Sequence, residues 1–130
     1  MKKIIPILFI ILALGCSEDS ANQNNSNLVD VYVTGQKNGN PCYWKNNQLV
    51  ELDNGGIPSI IATKIIISGN DVHVFGSNGG SYPHMGYFYW KNGVFHDLNT
   101  ELDINNEGAV IVNDMLVDGT DVYFCGNFHY

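Results

Sequence analysis

Arginine is absent from this 130-residue chain, and only six lysines stand against thirteen aspartates and glutamates. Proteins that bind nucleic acid use Lys and Arg to neutralise phosphates, so an acidic chain without arginine argues strongly against nucleic acid as a partner. The same shortage argues against attachment to anionic lipid through a basic protein face. The charge composition therefore removes two common classes of electrostatic binding protein.

Motifs that carry catalysis or metal binding are also missing. The sequence contains no Gly-x-Ser-x-Gly elbow and no phosphate-binding glycine loop before a helix. Its four histidines lack HExxH or Cys/His spacing, and the acidic stretch at residues 101–108 does not match an EF-hand loop. We therefore expect no catalytic residue, no metal site and no cofactor. Paired carboxylates for glycoside cleavage stay open, because such partners need only meet in space.

The N-terminus has the features of an export signal. Lys2 and Lys3 provide a positive start, and residues 4–14 form an apolar run interrupted by one proline. Eleven residues are too few to cross a hydrocarbon layer, which needs about 20 in a helix. The length of the run and the small residues before Cys16 instead fit a cleaved signal. We predict that residues 1–15 are a signal peptide.

The segment Leu12-Ala13-Leu14-Gly15-Cys16 resembles a bacterial lipobox, in which the cysteine is acylated and becomes the first mature residue. Ala13 stands where leucine is commoner, and an ordinary cleaved signal with an incidental cysteine is the alternative. Ser17 and the acidic pair at 18–19 resemble sorting signals of outer-membrane and surface lipoproteins in Gram-negative bacteria. The resemblance implies a lipid anchor at Cys16 and an outer-membrane or cell-surface location.

Residues 16–27 separate the predicted anchor from the rest of the chain. After Cys16 this segment contains a single aliphatic side chain, Ala21, and no aromatic one. So polar a segment cannot bury enough apolar area to offset the entropy of ordering, which predicts a flexible tether. Loss of Lys2 and Lys3 leaves four lysines against thirteen acidic residues, a net charge of −9 for the mature chain.

Internal repetition dominates residues 28–130. Three elements recur, with spacings of 41 and 50 residues for the first, 46 for the second and 50 for the third. The first is DVYVTG at 30–35, with copies at 71–76 and 121–126; the second begins YWKN at 43 and 89; the third begins at Ile65 and Met115. β-Branched and aromatic residues bounded by turn residues are typical of strands.

Turn residues join these strands into antiparallel units. Asn92-Gly93 between two apolar stretches is a strong hairpin signal, and Asn46-Asn47 occupies the same place in the first copy. Tight turns at 68–71 and 118–121 join the third element to the next copy of the first. We predict an all-β domain of four-stranded units, each ending with the third element, with two complete units and a lone terminal strand. Helical periodicity is not sustained beyond the signal.

The DVYVTG-like segments and the two YWKN hairpins resemble the YWKNG-type repeats of bacterial surface β-propellers, over residues 28–127. The resemblance implies a partial β-propeller of about two blades, whereas a closed ring has 4 to 8 blades of four strands. We favour a truncated or degenerate copy. The alternatives are assembly of several chains through the exposed edge of the last strand, and a two-blade piece that is marginal alone.

Recurrent aromatic pairs supply the candidate ligand-stacking residues: Tyr43, Trp44, Tyr89 and Trp90. Facing outward they would bind a glycan, but one tryptophan at the same place in each unit favours packing between sheets. Cys42 and Cys125 fall in non-equivalent strands two units apart, so we expect unpaired, half-buried thiols rather than a disulfide.

These patterns predict a membrane-tethered, cell-surface, non-enzymatic β-repeat module that binds or displays. Its ligand, a glycan or a protein, is not specified by the sequence. The alternatives are a fragment of a larger propeller protein or of a glycan-active enzyme, and a purely structural coat protein. A binding module requires an exposed concave or aromatic face, whereas a fragment or a coat protein does not.

Overall fold

The computed structural model describes residues 29–80, 85–103 and 109–129, so Cys16, the signal peptide and the tether predicted for residues 16–27 lie outside it. The described chain is mostly strand. Its strands are β1 (Tyr32–Lys37), β2 (Asn40–Lys45), β3 (Gln48–Glu51), β4 (Ile61–Ser68), β5 (Asp71–Ser77), β6 (Tyr87–Lys91), β7 (Val94–Asp97), β8 (Ala109–Asp118) and β9 (Asp121–His129). One short helix, α1 (Leu98–Glu101), follows β7. Within these ranges no helix has the length and apolar character needed to cross a membrane.

The strands form three antiparallel sheets within the described residues. Sheet 1 contains β1, β2 and β3; sheet 2 contains β4, β5, β6 and β7; sheet 3 contains β8 and β9. In each sheet the spatial order follows the chain order, as expected for strands joined by tight hairpins. The prediction of an all-β domain of antiparallel sheets is confirmed, and none of these sheets closes on itself.

The third sequence element belongs to the sheet that follows it, which corrects the predicted grouping. A two-residue turn joins β4 directly to β5, whereas residues 52–60 separate β4 from β3. The short turn closes the hairpin at a smaller entropic cost than the longer loop would. The terminal strand is therefore not alone, because β8 pairs with β9, and sheet 2 is the single four-stranded sheet in the described ranges.

Equivalent strands pair in the same register. Val33 lies opposite Trp44 in sheet 1, and Val74 lies opposite Trp90 in sheet 2. The strand after each asparagine turn also keeps its place, because the same tryptophans lie opposite Leu49 and Phe95. The sequence repeat is thus a repeat of strand pairing as well.

A β-bulge recurs where the third element enters its sheet. The register shifts between Ala62 and Lys64 in β4 and at the equivalent place in β8. The bulged strand approaches the glycine that ends the first element so closely that a Cβ on Gly76 would overlap the Ile61 carbonyl oxygen. Gly126 meets the backbone of β8 in the same way. This close approach explains the glycine that ends the second and third copies of the first element, whereas Gly35, which ends the first copy, lies beside the Trp44 ring.

The YWKN turns, predicted as hairpin turns from the sequence, adopt a left-handed backbone. Asn46, Asn47, Asn92 and Gly93 have φ angles of 50°, 65°, 53° and 81°. Two successive residues with positive φ give the type of tight turn that matches the twist of a hairpin. The two predicted hairpins are therefore confirmed.

A polar contact holds each YWKN turn to the start of the first element. The Asn92 side chain accepts a hydrogen bond from the Val72 N–H at 2.9 Å and donates one to Asp71 Oδ1 at 2.8 Å. Lys91 Nζ lies 3.0 Å from the second oxygen of Asp71. The hydrogen bond from Asn92 and the Lys91 ammonium hold the pKa of the Asp71 carboxyl below its usual range. We name this arrangement the Asp–Lys–Asn clasp.

The clasp is repeated in sheet 1 with nearly the same distances. Asn46 accepts from the Val31 N–H at 2.9 Å and donates to Asp30 at 2.7 Å, and Lys45 lies 2.9 Å from the same carboxylate. Charge-assisted hydrogen bonds are stronger and shorter than neutral ones. This contact was not predicted from the sequence, although the aspartate and the Lys-Asn pair recur together in the repeats.

Sheet 2 is packed on both of its faces. Alternate residues of its strands point to opposite sides, so Val74 and Trp90 face sheet 1 while Phe75 and Tyr89 face sheet 3. The first interface, between sheets 1 and 2, buries Leu52, Ile60, Ala62, Val74, Phe88 and Trp90. The second interface, between sheets 2 and 3, buries Phe75, Tyr87, Tyr89, Leu98, Val112 and Met115. An ion pair between Lys64 of β4 and Asp114 of β8 spans the second interface at its surface.

Trp90 is the largest side chain that is completely buried, with 0% of its surface exposed. Its indole N–H donates to the Asp53 carbonyl oxygen at 2.7 Å, which satisfies the one polar atom of the ring. Phe88 and Phe95 lie beside it, with ring centroids 6.5 and 5.9 Å away. Aromatic clusters of this kind contribute both buried area and specific ring contacts.

We predict that Trp90→Ala lowers the free energy of unfolding by about 3–5 kcal/mol, the usual cost of truncating a buried aromatic residue. Trp44→Ala is the matched control, because Trp44 holds the equivalent position in sheet 1 but is only half-buried. Its cost should be about 1–2 kcal/mol, in proportion to the smaller area buried. Urea unfolding followed by circular dichroism measures both. Equal costs for the two variants would contradict the packing described for sheet 2.

Candidate functional site

The four predicted stacking residues do not share one surface. Trp90 and Tyr89 are buried, on opposite faces of sheet 2. Tyr43 packs into the first interface and is partly buried there. Trp44 is half-buried and points away from sheet 2, because neighbouring residues of a strand face opposite sides. Packing thus occupies three of the four side chains, and Trp44 alone of these four faces outward.

The outer face of sheet 1 is apolar and lacks a covering sheet within the described residues. Trp44 lies between Val33 and Leu49 across the three strands, and Val33 is 55% exposed. The equivalent residues of sheet 2 are Val74, Trp90 and Phe95, which pack in the first interface. The outer face therefore leaves Val33 exposed and Trp44 and Leu49 half-buried, where the same residue pattern of sheet 2 packs against its neighbour.

The far face of sheet 3 is the corresponding surface at the other end. Leu116 and Tyr123 lie opposite each other in the β8–β9 pair and are 62% and 53% exposed. Their equivalents in sheet 2 are Ile66, which packs against the second interface, and His73, which is completely buried. Both ends of the stack thus expose positions that are covered in the middle.

A cleft of about 210 Å³ runs beside the edge strand β9. It is lined by Leu102, just after α1, and by residues of β8 and β9, among them Val110, Phe124 and Cys125. The surface is mainly apolar, and no predicted stacking residue contributes to it. The exposed edge of the last strand was predicted from the sequence, but this cleft was not, because it combines Leu102, which follows α1, with residues of β8 and β9.

The two cysteines are unpaired, as predicted, but neither is half-buried. Cys42 is buried and Cys125 is exposed. Burial, with a further contribution from Glu51, raises the pKa of the Cys42 thiol and keeps it protonated and inert. Cys125 is the accessible thiol of this pair, and it lies on the edge strand beside the cleft.

A buried histidine–tyrosine pair lies in the middle of sheet 2. His73 Nδ1 is 2.6 Å from the Tyr89 hydroxyl, and both residues are buried. His73 Nε2 has no hydrogen-bond partner among the described residues. Burial, and then the nearby Lys91 ammonium, lower the pKa of His73, while Asp71 opposes them. Burial first, and then the Asp71 carboxylate, raise the pKa of Tyr89. Both groups are therefore neutral at pH 7, and the pair is enclosed rather than open to a substrate.

Among residues 29–80, 85–103 and 109–129, no three His, Cys, Asp or Glu side chains are grouped so that they could hold a metal ion. Residues 104–108, the second half of the acidic stretch considered for calcium, lie outside the described part of the chain. The Glu101 carboxylate of that stretch accepts a hydrogen bond from His96 Nδ1 at 2.9 Å, so in the structure it pairs with a histidine.

We predict that stability falls as pH drops below 6.5, and that His73 contributes to the loss. Because the folded-state pKa of His73 is depressed, the unfolded chain takes up its proton first as pH falls through the ordinary value of 6.5. One such proton changes the free energy of unfolding by up to about 1.4 kcal/mol per pH unit. His73→Gln should flatten the dependence between pH 7 and pH 5, as measured by thermal unfolding. His96→Gln, which removes a surface histidine, is the control; an equal flattening in both variants would contradict the prediction.

Comparisons with protein-family models, with curated proteins and with solved structures found no match to this chain.

Proposed function

We propose that this chain is a lipid-anchored, cell-surface protein whose β-repeat domain is a partial propeller that binds or displays without catalysing a reaction. The stacking of like sheets carries the proposal. Sheet 2 has the four antiparallel strands of a propeller blade and is covered on both faces by sheets that repeat its register. In a propeller each blade packs between two neighbours in this way.

The N-terminal sequence supports the anchored part of the proposal. The apolar run at residues 4–14, followed by Leu14-Gly15-Cys16, is the pattern of a lipoprotein signal. The polar segment at residues 16–27 gives the domain a tether of up to about 40 Å when fully extended. The net charge of −9 then favours separation of the domain from an anionic membrane surface.

A fragment of a larger propeller, or of a glycan-active enzyme, is the second candidate. The observation that favours it is the unequal size of the sheets, since three and two strands flank the four-stranded one in the described residues. Further blades on the outer face of sheet 1 or the far face of sheet 3 would complete the cover that sheet 2 already has.

We predict that Cys16→Ser releases the protein from the membrane fraction or leaves the signal uncleaved, because the acylated thiol is the proposed anchor. Surface display is measured with a membrane-impermeant maleimide on intact cells, using Gln48→Cys in a Cys125→Ser background to place a thiol on an exposed strand position. The Cys125→Ser parent is the control, since its remaining described thiol, Cys42, is buried. Labelling of Gln48→Cys only after cell lysis, or unchanged detergent partitioning of Cys16→Ser, would contradict the proposal.

A glycan ligand would use the outer face of sheet 1. We predict that Trp44→Ala weakens binding on a glycan array about tenfold or more, since an aromatic anchor contributes about 2 kcal/mol to a binding surface. Val94→Ala is the control, because Val94 is exposed but lies on β7, away from this face. Trp90→Ala would instead report on folding. Equal signals for Trp44→Ala and the parent, or no signal for either, would count against a glycan bound at this face.

A further inference from the structure

Sheet 3 contains the first half of what sheet 2 contains in full. In sheet 2, β5 pairs with β4 on one side and with β6 on the other. In sheet 3, β8 takes the place of β4 and β9 takes the place of β5, and the other edge of β9 has no strand beside it among the described residues. Such an edge presents the backbone N–H and C=O groups that a further strand would pair with.

The side chains beside this edge hold the same positions in the repeat as the side chains that pack around Trp90. Three of the six residues of β8 and β9 that line the cleft pack on the side of sheet 2: Val110, Val112 and Phe124. Their counterparts fifty residues earlier pack with Trp90 in the first interface: Ile60, Ala62 and Val74. The cleft is therefore the equivalent, in sheet 3, of the place that the indole ring fills in sheet 2.

One half of an Asp–Lys–Asn clasp is also present. Asp121 begins the third copy of the first element, as Asp30 and Asp71 begin the other two. In those copies the aspartate binds the Lys-Asn pair of the following turn. Asp121 is exposed, and no Lys-Asn turn contacts it in the described part of the chain. The carboxylate is thus placed to receive a lysine and an asparagine from elsewhere.

We propose that the edge of β9 binds a YWKN-type β-hairpin supplied by another polypeptide. The first strand of the hairpin pairs antiparallel with β9 in the register of β6 on β5. Its tryptophan then lies opposite Phe124 and enters the cleft, and its Lys-Asn turn closes a clasp on Asp121. The inference rests on the proposed function, since it takes the domain to be a binding module, and it adds the surface and the chemistry of the partner.

The energetic sources are those already present in sheet 2. Backbone hydrogen bonds from strand addition give affinity, and alternate side chains give specificity. The incoming lysine meets an acidic chain, and the incoming aromatic rings remove apolar cleft surface from water. An isolated two-stranded hairpin is at best marginally stable in water, so the free hairpin folds when it binds. The register in which its first strand pairs with β9 is therefore the property that tests the proposal.

The register can be tested with peptides of residues 85–98, which contain β6 and β7. In sheet 2, Phe75 lies opposite Tyr89, so Cys125, the equivalent of Phe75, should lie opposite residue 89 of a bound peptide. A peptide with Tyr89→Cys carries a thionitrobenzoate leaving group on its sulfur. The Cys125 thiolate attacks that sulfur, the mixed disulfide forms, and thionitrobenzoate is released and measured by its absorbance. The chain carries Cys16→Ser, and Cys42 is buried.

The matched control is the same peptide with Phe88→Cys in place of Tyr89→Cys, which puts the reactive sulfur on the opposite face of the strand. Residues directly opposite in a pair have Cβ atoms about 4.5–5.5 Å apart, within reach of a disulfide. We expect Tyr89→Cys to react with the chain at least about tenfold faster than Phe88→Cys. Equal rates, or rates no faster than with glutathione carrying the same leaving group, would overturn the assignment.

A second variant keeps the test independent of disulfide chemistry. Asp121→Ala removes an exposed side chain at the start of β9 and should leave the circular dichroism spectrum unchanged. We expect it to weaken binding of the unmodified, fluorophore-labelled peptide about tenfold, the effect of losing one charge-assisted contact. Unchanged affinity would contradict the clasp. The oligomeric state of the chain is measured with and without the peptide. If the chain forms dimers and the peptide dissociates them, a second copy of this chain is the hairpin donor. Dimers that the peptide does not dissociate would place self-association at another surface and count against the proposal. Since these measurements use soluble chain, they are independent of whether the lipid anchor exists.

Discussion

Sheet 2 is apolar on both of its faces, and among the described residues sheet 1 covers one face and sheet 3 the other. Neighbouring residues of β5 and β6 point to opposite sides of the sheet, so Val74 and Trp90 face sheet 1 while Phe75 and Tyr89 face sheet 3. A sheet that buries one face alone would leave the other set in water, at a cost of about 25 cal/mol for each Å² of apolar surface. This requirement makes a two-sided stack, and not a two-layer sandwich, the smallest arrangement that satisfies sheet 2.

The need for cover on both faces also explains the exposed apolar residues of sheets 1 and 3. Sheets 1 and 3 repeat the residue pattern of sheet 2, so each has a second apolar face as well. Val33 on one end and Leu116 on the other are exposed where their counterparts, Val74 and Ile66, are packed. The stack is built from units that need two neighbours, and the described residues give two neighbours to the middle unit. The open faces and the β9 edge follow from this geometry.

Much of the fold was readable from the sequence, because the repeats carry local signals. The asparagine turns, the strand positions and the antiparallel order all follow from residues a few positions apart, such as Asn92-Gly93 and its flanking strands. Repetition added the expectation that Trp44 and Trp90 hold equivalent places, and their register confirms it. The third element was assigned to the wrong sheet, although the tight turn at residues 68–71 that joins it to the next copy of the first element was visible in the sequence.

Features that depend on contacts between distant strands were missed. The Asp–Lys–Asn clasp joins an aspartate and an asparagine that are 16 and 21 positions apart in its two copies, and Cys42 is completely buried where half-burial was expected. The cleft needs α1, β8 and β9 together, and α1 was not predicted because a four-residue helix is too short to show periodicity. The ligand-stacking role considered for Tyr89 and Trp90 depends on such contacts as well. An aromatic residue in a strand has the same sequence pattern whether a ligand or a neighbouring sheet covers it.

The face-to-face stacking of sheets 2 and 3 is tested most directly by a double-mutant cycle on Phe75 and Phe124. These rings belong to different sheets, and their centroids lie 5.9 Å apart. With the parent, both single alanine variants and the double variant, urea unfolding should give a coupling free energy of about 0.5–1.5 kcal/mol, the value for an aromatic pair in contact. Phe75 and Phe95, which lie in different interfaces, should show none. Additive losses for Phe75 and Phe124 would contradict the stacked arrangement.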